Sequence, residues 1–123
     1  MNGNRLFLDT NIILYLLNGD ETLAEILNGK QLYISVITEL ELLGFKGITS
    51  DEESIIREFI DKCKTITINT PIKNHTIQIR KRYNTKLPDS IIIATALYLD
   101  LPLITSDADF KKVDELTLLH YQN

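Results

Sequence analysis

This sequence has almost no cysteine and no long apolar run. Cys63 is the only cysteine, which excludes an internal disulfide and a cysteine-based zinc site and is typical of a reducing compartment. We expect its side chain to fill space on the inner face of a helix. No stretch approaches the roughly 18 apolar residues of a membrane-spanning helix, and residues 1–5 lead into a strand-like run rather than a signal peptide. The sequence therefore predicts a cytoplasmic protein with no membrane partner.

Positive charge is also scarce. The chain has 13 Lys and Arg residues against 17 Asp and Glu residues, a formal net charge of -4. Proteins that bind nucleic acid usually show a basic patch, so this balance argues mildly against such a partner. The objection weakens if several acids share one metal site, because bound cations cancel their charge locally.

The composition is that of an ordinary globular domain. Of 123 residues, 44% are apolar and 24% are charged. A chain of this length buries about two-thirds of the surface that its unfolded form exposes. We find no internal repeat, linker or low-complexity segment, so residues 1–123 are predicted to form a single domain.

Strand-like and helix-like segments alternate along the chain. Short β-rich runs are predicted at residues 5–8, 32–37, 65–68, 101–105 and 116–120. Helices are predicted at residues 11–17 and 20–29, from Thr38, from Ser50, at 72–83, and from Asp89 or Ser90 to Leu99. This alternation indicates an α/β fold, a three-layer α/β/α domain with a mostly parallel central sheet. In such sheets, ligands bind beyond the carboxyl ends of the strands.

Acidic residues lie beside the predicted strands and helices, at positions that an α/β fold would bring to the carboxyl edge of the sheet. Oxygen ligands of this kind suit a hard divalent cation such as Mg²⁺ or Mn²⁺. The candidate acids are Asp9, Glu39, Glu41, Asp89, Asp107 and Asp109. Their shared placement predicts a metal-dependent enzyme that acts on phosphate groups.

Each acid also has an ordinary structural interpretation. Asp9 is a suitable N-cap, and Asp89 is a suitable acid for the first turn of a helix. Glu39 and Glu41 are typical of a solvated helix face, and they diverge by about 200°, so at most one can face a site. The same placement in four segments of one small domain favours the functional interpretation.

The ordered motifs resemble the PIN domains, and most closely the VapC-type toxins of bacterial toxin–antitoxin pairs. The resemblance covers almost the whole chain. It rests on Leu8-Asp9-Thr10-Asn11, on the Ser-x-x-Thr-x-x-Glu spacing that selects Glu41 over Glu39, on Asp89 with the apolar helix after it, and on residues 103–110. Each motif alone is weak, whereas the ordered set is specific.

The resemblance implies a PIN-like fold and hydrolysis of RNA phosphodiester bonds. It implies that Asp9, Glu41, Asp89 and Asp107 hold one or two Mg²⁺ or Mn²⁺ ions, with Asp109 as a further acid in the metal set. Asn11 and Thr105 would steady these acids through hydrogen bonds. A cognate antitoxin and a homodimer are also implied.

Other charged residues give weaker signals. Arg80, Lys81, Arg82 and Lys86 form the only concentrated basic patch, just before Asp89. They are either a solvated helix end or a contact to the RNA backbone. We expect His75 and His120 to lie on the surface without an acid–base role.

Three rival functions are less consistent with the sequence. A small metal-dependent phosphatase of the haloacid-dehalogenase type would carry Asp-x-Asp where this chain has Asp9 and Asn11. A response-regulator receiver domain would need an adjacent acidic pair after the first strand. The non-enzymatic rival is a PIN-like binding module that has lost its acids, yet all four principal acids are present.

Overall fold

The computed structural model describes residues 4–122 and contains alternating strands and helices. The elements are β1 (Arg5–Leu8), α1 (Thr10–Leu17), α2 (Glu21–Leu27), β2 (Gln31–Ser35), α3 (Val36–Leu43), α4 (Ser50–Asp61), β3 (Lys64–Ile66), α5 (Thr70–Arg82), α6 (Leu87–Leu99), β4 (Leu103–Thr105), a 3₁₀ helix (Ala108–Lys112) and β5 (Leu118–His120). No helix within these residues is long and apolar enough to cross a membrane.

The strands form one sheet with β1 at its centre. The strand order is β3-β2-β1-β4-β5, and each of the four pairings is parallel. Strands β2 and β3 lie on one side of β1, and the chain then crosses to the other side to form β4 and β5. This reversal makes the carboxyl ends of β1 and β4 the place where a ligand crevice forms.

Side chains of β1 alternate between two hydrophobic cores, one on each face of the sheet. Leu6 and Leu8 belong to the core that includes Ile12 of α1 and Ile56 of α4. Phe7, which is fully buried, belongs to the other core with residues of α5 and α6. The period of two residues along a strand produces this division. The predicted three-layer fold is confirmed.

The buried helix α6 supports the second face. Its residues 90–96 are buried on all sides, as its apolar sequence predicts. The helix begins at Leu87, earlier than the predicted start at Asp89 or Ser90. Leu87 and Pro88 occupy its first turn, where proline fits because those amides have no helical partner.

Two further sequence expectations need correction. Helix α3 begins at Val36 rather than Thr38, because the side chain of Ser35 caps it by accepting a hydrogen bond from the Ile37 amide at 3.0 Å. Cys63 follows α4 instead of lying on a helix face, although it is half-buried as expected. Burial raises the pKa of its thiol to about 11.

Replacing Ile93 by alanine tests the importance of α6 for the fold. Ile93 has no exposed surface, so Ile93→Ala should lower the free energy of unfolding by about 2–5 kcal/mol. Urea denaturation measures this change. The matched control is Ile26→Ala on α2, where the side chain is 38% exposed and the change should stay within about 0.5 kcal/mol. Equal losses in both variants would contradict the assigned core.

Candidate active site

Asp9 lies at the carboxyl end of β1 and is 5% exposed. It is the N-cap of α1, and its Oδ1 accepts a hydrogen bond from the Thr10 amide at 2.8 Å. Its Oδ2 accepts one from Thr105 Oγ1 on β4 at 2.6 Å. Burial raises the pKa of Asp9, and these two hydrogen bonds oppose the rise because they stabilise the charged form.

Glu41 reaches the same region from α3. Its Oε1 accepts a hydrogen bond from Thr10 Oγ1 at 2.7 Å, and its charge contributes to the raised pKa of Asp9. Thr10 therefore contacts both acids, through its amide to Asp9 and through its hydroxyl to Glu41. Glu39 precedes Glu41 by two residues on the same helix and is half-buried, and the 3.6-residue period of the helix turns the two side chains about 200° apart.

Asp89 lies in the first turn of α6 and is half-buried. Burial raises its pKa to about 6, and the negative charges of Asp9, Asp107 and Glu41 add to the rise. The charge of Lys86 opposes it. Four acids from four separate segments thus act on one another electrostatically, as their placement in the sequence predicts.

Asp107 follows β4 and is held by the loop that it begins. Its amide donates a hydrogen bond to Thr105 Oγ1 at 3.0 Å. Its Oδ1 accepts one from the Asp109 amide at 2.9 Å, which caps the 3₁₀ helix. Asp109 itself is exposed, whereas Asp107 is half-buried and its charge adds to the raised pKa of Asp9 and of Asp89. The structure therefore brings Asp107 together with Asp9, Glu41 and Asp89 in one acidic cluster and leaves Asp109 at its margin.

The acidic cluster does not form a closed ligand cage. Within residues 4–122, no group of three or more His, Cys, Asp or Glu side chains is arranged to hold a metal ion by itself. Mg²⁺, however, usually keeps several waters and takes only one or two protein carboxylates together with phosphate oxygens of the substrate. An all-oxygen donor set with unbalanced negative charge fits an ion of that kind, and the metal set stays a prediction.

The remaining predicted residues lie around this cluster. Arg80, Lys81 and Lys86 are exposed. Arg82 forms a salt bridge with Glu115 at 2.7 Å, so its charge is already paired. Asn11 is exposed in the first turn of α1, and its supporting role stays a prediction.

The two histidines differ. His75 is exposed on α5, as expected. His120 departs from the surface position predicted for it, because it is half-buried on β5 with its Nε2 3.2 Å from the carbonyl oxygen of Ser106. That contact brings it next to the loop that carries Asp107.

Sequence reasoning missed two residues of the site. Thr10 and Thr38 stand in the motifs that carry the family resemblance, but no role in the site was predicted for either. In the structure their hydroxyl oxygens are 3.0 Å apart. A signal was available for Thr38, because it precedes Glu41 by three residues and therefore shares its helix face.

Comparison with known proteins agrees with this architecture. The model of the PIN domain family matches residues 6–116, a span that includes every acid of the cluster. The chain therefore belongs to the PIN domain family.

Its relatives include VapC toxins. Ribonuclease VapC6 of Methanocaldococcus jannaschii is 28% identical over 151 residues, covering 97% of this chain and 99% of that protein. A chain of a toxin-antitoxin complex from Klebsiella pneumoniae is 31% identical with a TM-score of 0.79, covering 93% of this chain and 95% of that chain. VapBC2 from Rickettsia felis, bound to a promoter DNA fragment, shows the same fold at 20% identity, with a TM-score of 0.82 and coverage of 96% and 99%. The resemblance read from the sequence is confirmed.

The raised pKa of Asp89 predicts how its neutral variant changes stability. Its folded-state pKa of about 6 exceeds the ordinary value of 3.8, so its contribution to stability is fully present below the ordinary value and is lost as the pH rises through about 6. Asp89→Asn should therefore raise Tm by a few degrees near pH 7 in EDTA. The gain should shrink as the pH falls towards 4, and differential scanning calorimetry measures both effects.

The matched control for this prediction is Asp109→Asn. Asp109 lies close by in the fold but is exposed, so its neutralisation should leave Tm nearly unchanged. A wild-type protein and an Asp89→Asn variant that melt together near pH 7 would show that the carboxylates do not repel one another.

Proposed function

We propose that this chain is an Mg²⁺- or Mn²⁺-dependent endoribonuclease, the toxin of a toxin–antitoxin pair. The observation that carries the proposal is the gathering of Asp9, Glu41, Asp89 and Asp107 at one edge of the sheet, where burial, and after it the neighbouring negative charges, raise the pKa of Asp9 and of Asp89. The names of the relatives support it, because one is a ribonuclease and the others are parts of toxin–antitoxin complexes.

Residues of this chain prepare the site for a cation. Thr10 and Thr105 fix the Asp9 carboxylate through both of its oxygens, and the Thr10 hydroxyl holds Glu41. A bound divalent ion would polarise the phosphoryl oxygen, lower the pKa of a water and stabilise the leaving oxyanion. No serine or cysteine nucleophile is then needed.

Basic residues beside the cluster suit the RNA backbone. Lys86 is exposed and close enough for its charge to act on Asp89. Arg80 and Lys81 are exposed one helix earlier, whereas Arg82 is paired with Glu115. We therefore expect Lys86, Arg80 and Lys81 to contribute more to phosphate binding than Arg82.

Cleavage of RNA by the purified protein tests the proposal. Cleavage should need Mg²⁺ or Mn²⁺ and stop in EDTA, and both Asp9→Asn and Glu41→Gln should lower kcat by about 100-fold or more. Glu39→Gln is the matched control, because Glu39 lies on the same helix two residues before Glu41, about 200° from it around the helix axis. Its kcat should stay near that of the wild type.

Other outcomes would favour the alternatives. Equal cleavage in Mg²⁺ and EDTA would contradict the metal mechanism. No cleavage under any condition, with no rise in Tm on addition of Mn²⁺, would favour the non-catalytic binding module. Hydrolysis of phosphate monoesters but not of RNA would favour the small phosphatase.

The antitoxin is proposed to occupy an apolar groove beside the acids. The groove has a volume of about 380 Å³, and Thr10 and Glu41 form part of its lining. Leu14, Phe45 and Ile55 line it as well and are 41%, 66% and 56% exposed. An amphipathic segment with a basic residue at one end fits this combination, because arginine pairs bidentately with carboxylates. The expected homodimer and cytoplasmic location stay predictions.

A charge placed in the groove tests this docking site. Ile55→Glu should weaken binding of a cognate antitoxin co-expressed with this chain by about tenfold or more, since a buried unpaired charge opposes association. Its effect on RNA cleavage should be small. Ile26→Glu on α2, outside the groove lining, should leave binding unchanged. Isothermal titration calorimetry measures both, and equal affinities for the two variants would place the antitoxin elsewhere.

A further inference from the structure

Thr38 is a fully buried polar residue whose hydroxyl points away from its own helix. It has no exposed surface, and its Oγ1 lies 3.0 Å from Thr10 Oγ1 on α1. Burial of a hydroxyl is unfavourable unless it forms a hydrogen bond. The contact with Thr10 therefore provides Thr38 with the partner that its burial requires.

The position of Thr38 in α3 explains why its hydroxyl is free to leave the helix. Two other buried helical threonines donate to the carbonyl four residues back, Thr76 to Ile72 at 2.8 Å and Thr95 to Ile91 at 2.7 Å. Thr38 stands in the first turn of α3, and the residue four positions earlier belongs to β2. The carbonyl four residues back is therefore a strand carbonyl rather than a helical one, and the Thr38 hydroxyl contacts Thr10 on α1 instead.

Hydrogen-bond chemistry fixes the direction of this contact. A threonine hydroxyl has one proton, and an ionised carboxylate only accepts. The Thr10 hydroxyl donates its one proton to Glu41 Oε1 at 2.7 Å, so in its contact with Thr38 it must be the acceptor. The order of donation is therefore Thr38 to Thr10 to Glu41. A hydroxyl that accepts a hydrogen bond becomes a better donor, which strengthens the bond to Glu41.

Glu41 needs such a restraint. Its side chain is exposed, and its charge disfavours ionisation of both Asp9 and Asp89. Repulsion from those carboxylates, together with rotamer entropy, favours conformations in which a free glutamate swings into solvent. The Thr10 hydroxyl opposes that motion.

We propose that Thr38 is a positioning residue that acts through Thr10 to hold the Glu41 carboxylate beside Asp9. The importance of this position for RNA cleavage rests on the proposed function, whereas the positioning itself does not. Within residues 4–122, the side chain of Thr38 forms its hydrogen bond with Thr10 and none with the acids. Its effect passes through Thr10, whose amide also binds Asp9, so one threonine sets the relative position of two acids.

The first test measures the order of Glu41 in protein free of metal. Thr38→Val removes the hydroxyl at nearly constant shape, and side-chain ¹³C relaxation should then show a loss of order at Glu41. Thr38→Ser keeps the hydroxyl and should restore the order. Thr95→Val is the matched control, because it removes an equally buried helical hydroxyl that bonds within its own helix. Equal order at Glu41 in Thr38→Val and Thr95→Val would overturn the proposal.

The second test measures Mn²⁺ affinity and cleavage of RNA. Residues that orient metal-binding groups typically change affinity or activity by about 10–100-fold. Thr38→Val should therefore weaken Mn²⁺ binding and lower kcat by about tenfold, with KM for RNA nearly unchanged, and Thr95→Val should do neither. If Mn²⁺ affinity and kcat of Thr38→Val match those of Thr95→Val, the proposal fails in its functional part.

The two tests separate this proposal from the proposed function. If the wild-type protein cleaves no RNA, the proposed ribonuclease activity is contradicted. If Glu41 nevertheless loses order in Thr38→Val, the positioning role of Thr38 is still supported. If Thr38→Val does not fold, the same measurement is made on Thr10, the next residue in the hydrogen-bonded series. Thr10→Val removes that hydroxyl and Thr10→Ser keeps it. Full order of Glu41 in Thr10→Val would then overturn the proposal.

Discussion

Burial of the Asp9 carboxylate at the end of the central strand is the constraint on which the site depends. A carboxylate in this position, 5% exposed and preceded by the fully buried Leu8, loses most of its hydration. The fold compensates with two donors, the Thr10 amide and the Thr105 hydroxyl. These donors come from α1 and from β4, so the need to solvate one charge links the first helix to the neighbouring strand. The loop after Thr105 then brings Asp107 to the same edge.

The structural interpretation of the acids is confirmed for Asp9 and Asp107, and it is compatible with the functional interpretation, which stays a prediction. Asp9 caps α1 and Asp107 caps the 3₁₀ helix, as the ordinary interpretation proposes. Those same positions lie at the carboxyl ends of β1 and β4, where the parallel sheet exposes its crevice. A helix N-terminus tolerates negative charge because its free amides and its dipole favour it. The fold can therefore gather carboxylates at one edge and use several of them as caps.

Sequence alone predicted the succession of strands and helices along the chain and the acids that lie together at the sheet edge, because both follow from local sequence patterns. It misplaced the start of α3 because the capping bond of Ser35 depends on one rotamer rather than on composition. It missed the contact between Thr10 and Thr38 because these residues are 28 positions apart, and only tertiary packing joins them. His120 was misjudged for the same reason, since its partner Ser106 lies on another segment. Local periodicity carries no information about such pairs.

The same charge imbalance that suits a metal also suits a regulator. Burial raises the pKa of Asp9 and of Asp89, and the negative charges of their neighbours add to the rise, so a cation that entered the cluster would relieve repulsion. Under the proposed function, a divalent ion and a guanidinium group from a partner would thus compete for the same negative charge. Because Glu41 lines the groove and also belongs to the cluster, a partner in the groove meets the carboxylates without any change of fold. Under the proposed function, Glu41 would therefore serve both catalysis and inhibition, whereas the apolar wall of the groove would serve inhibition alone.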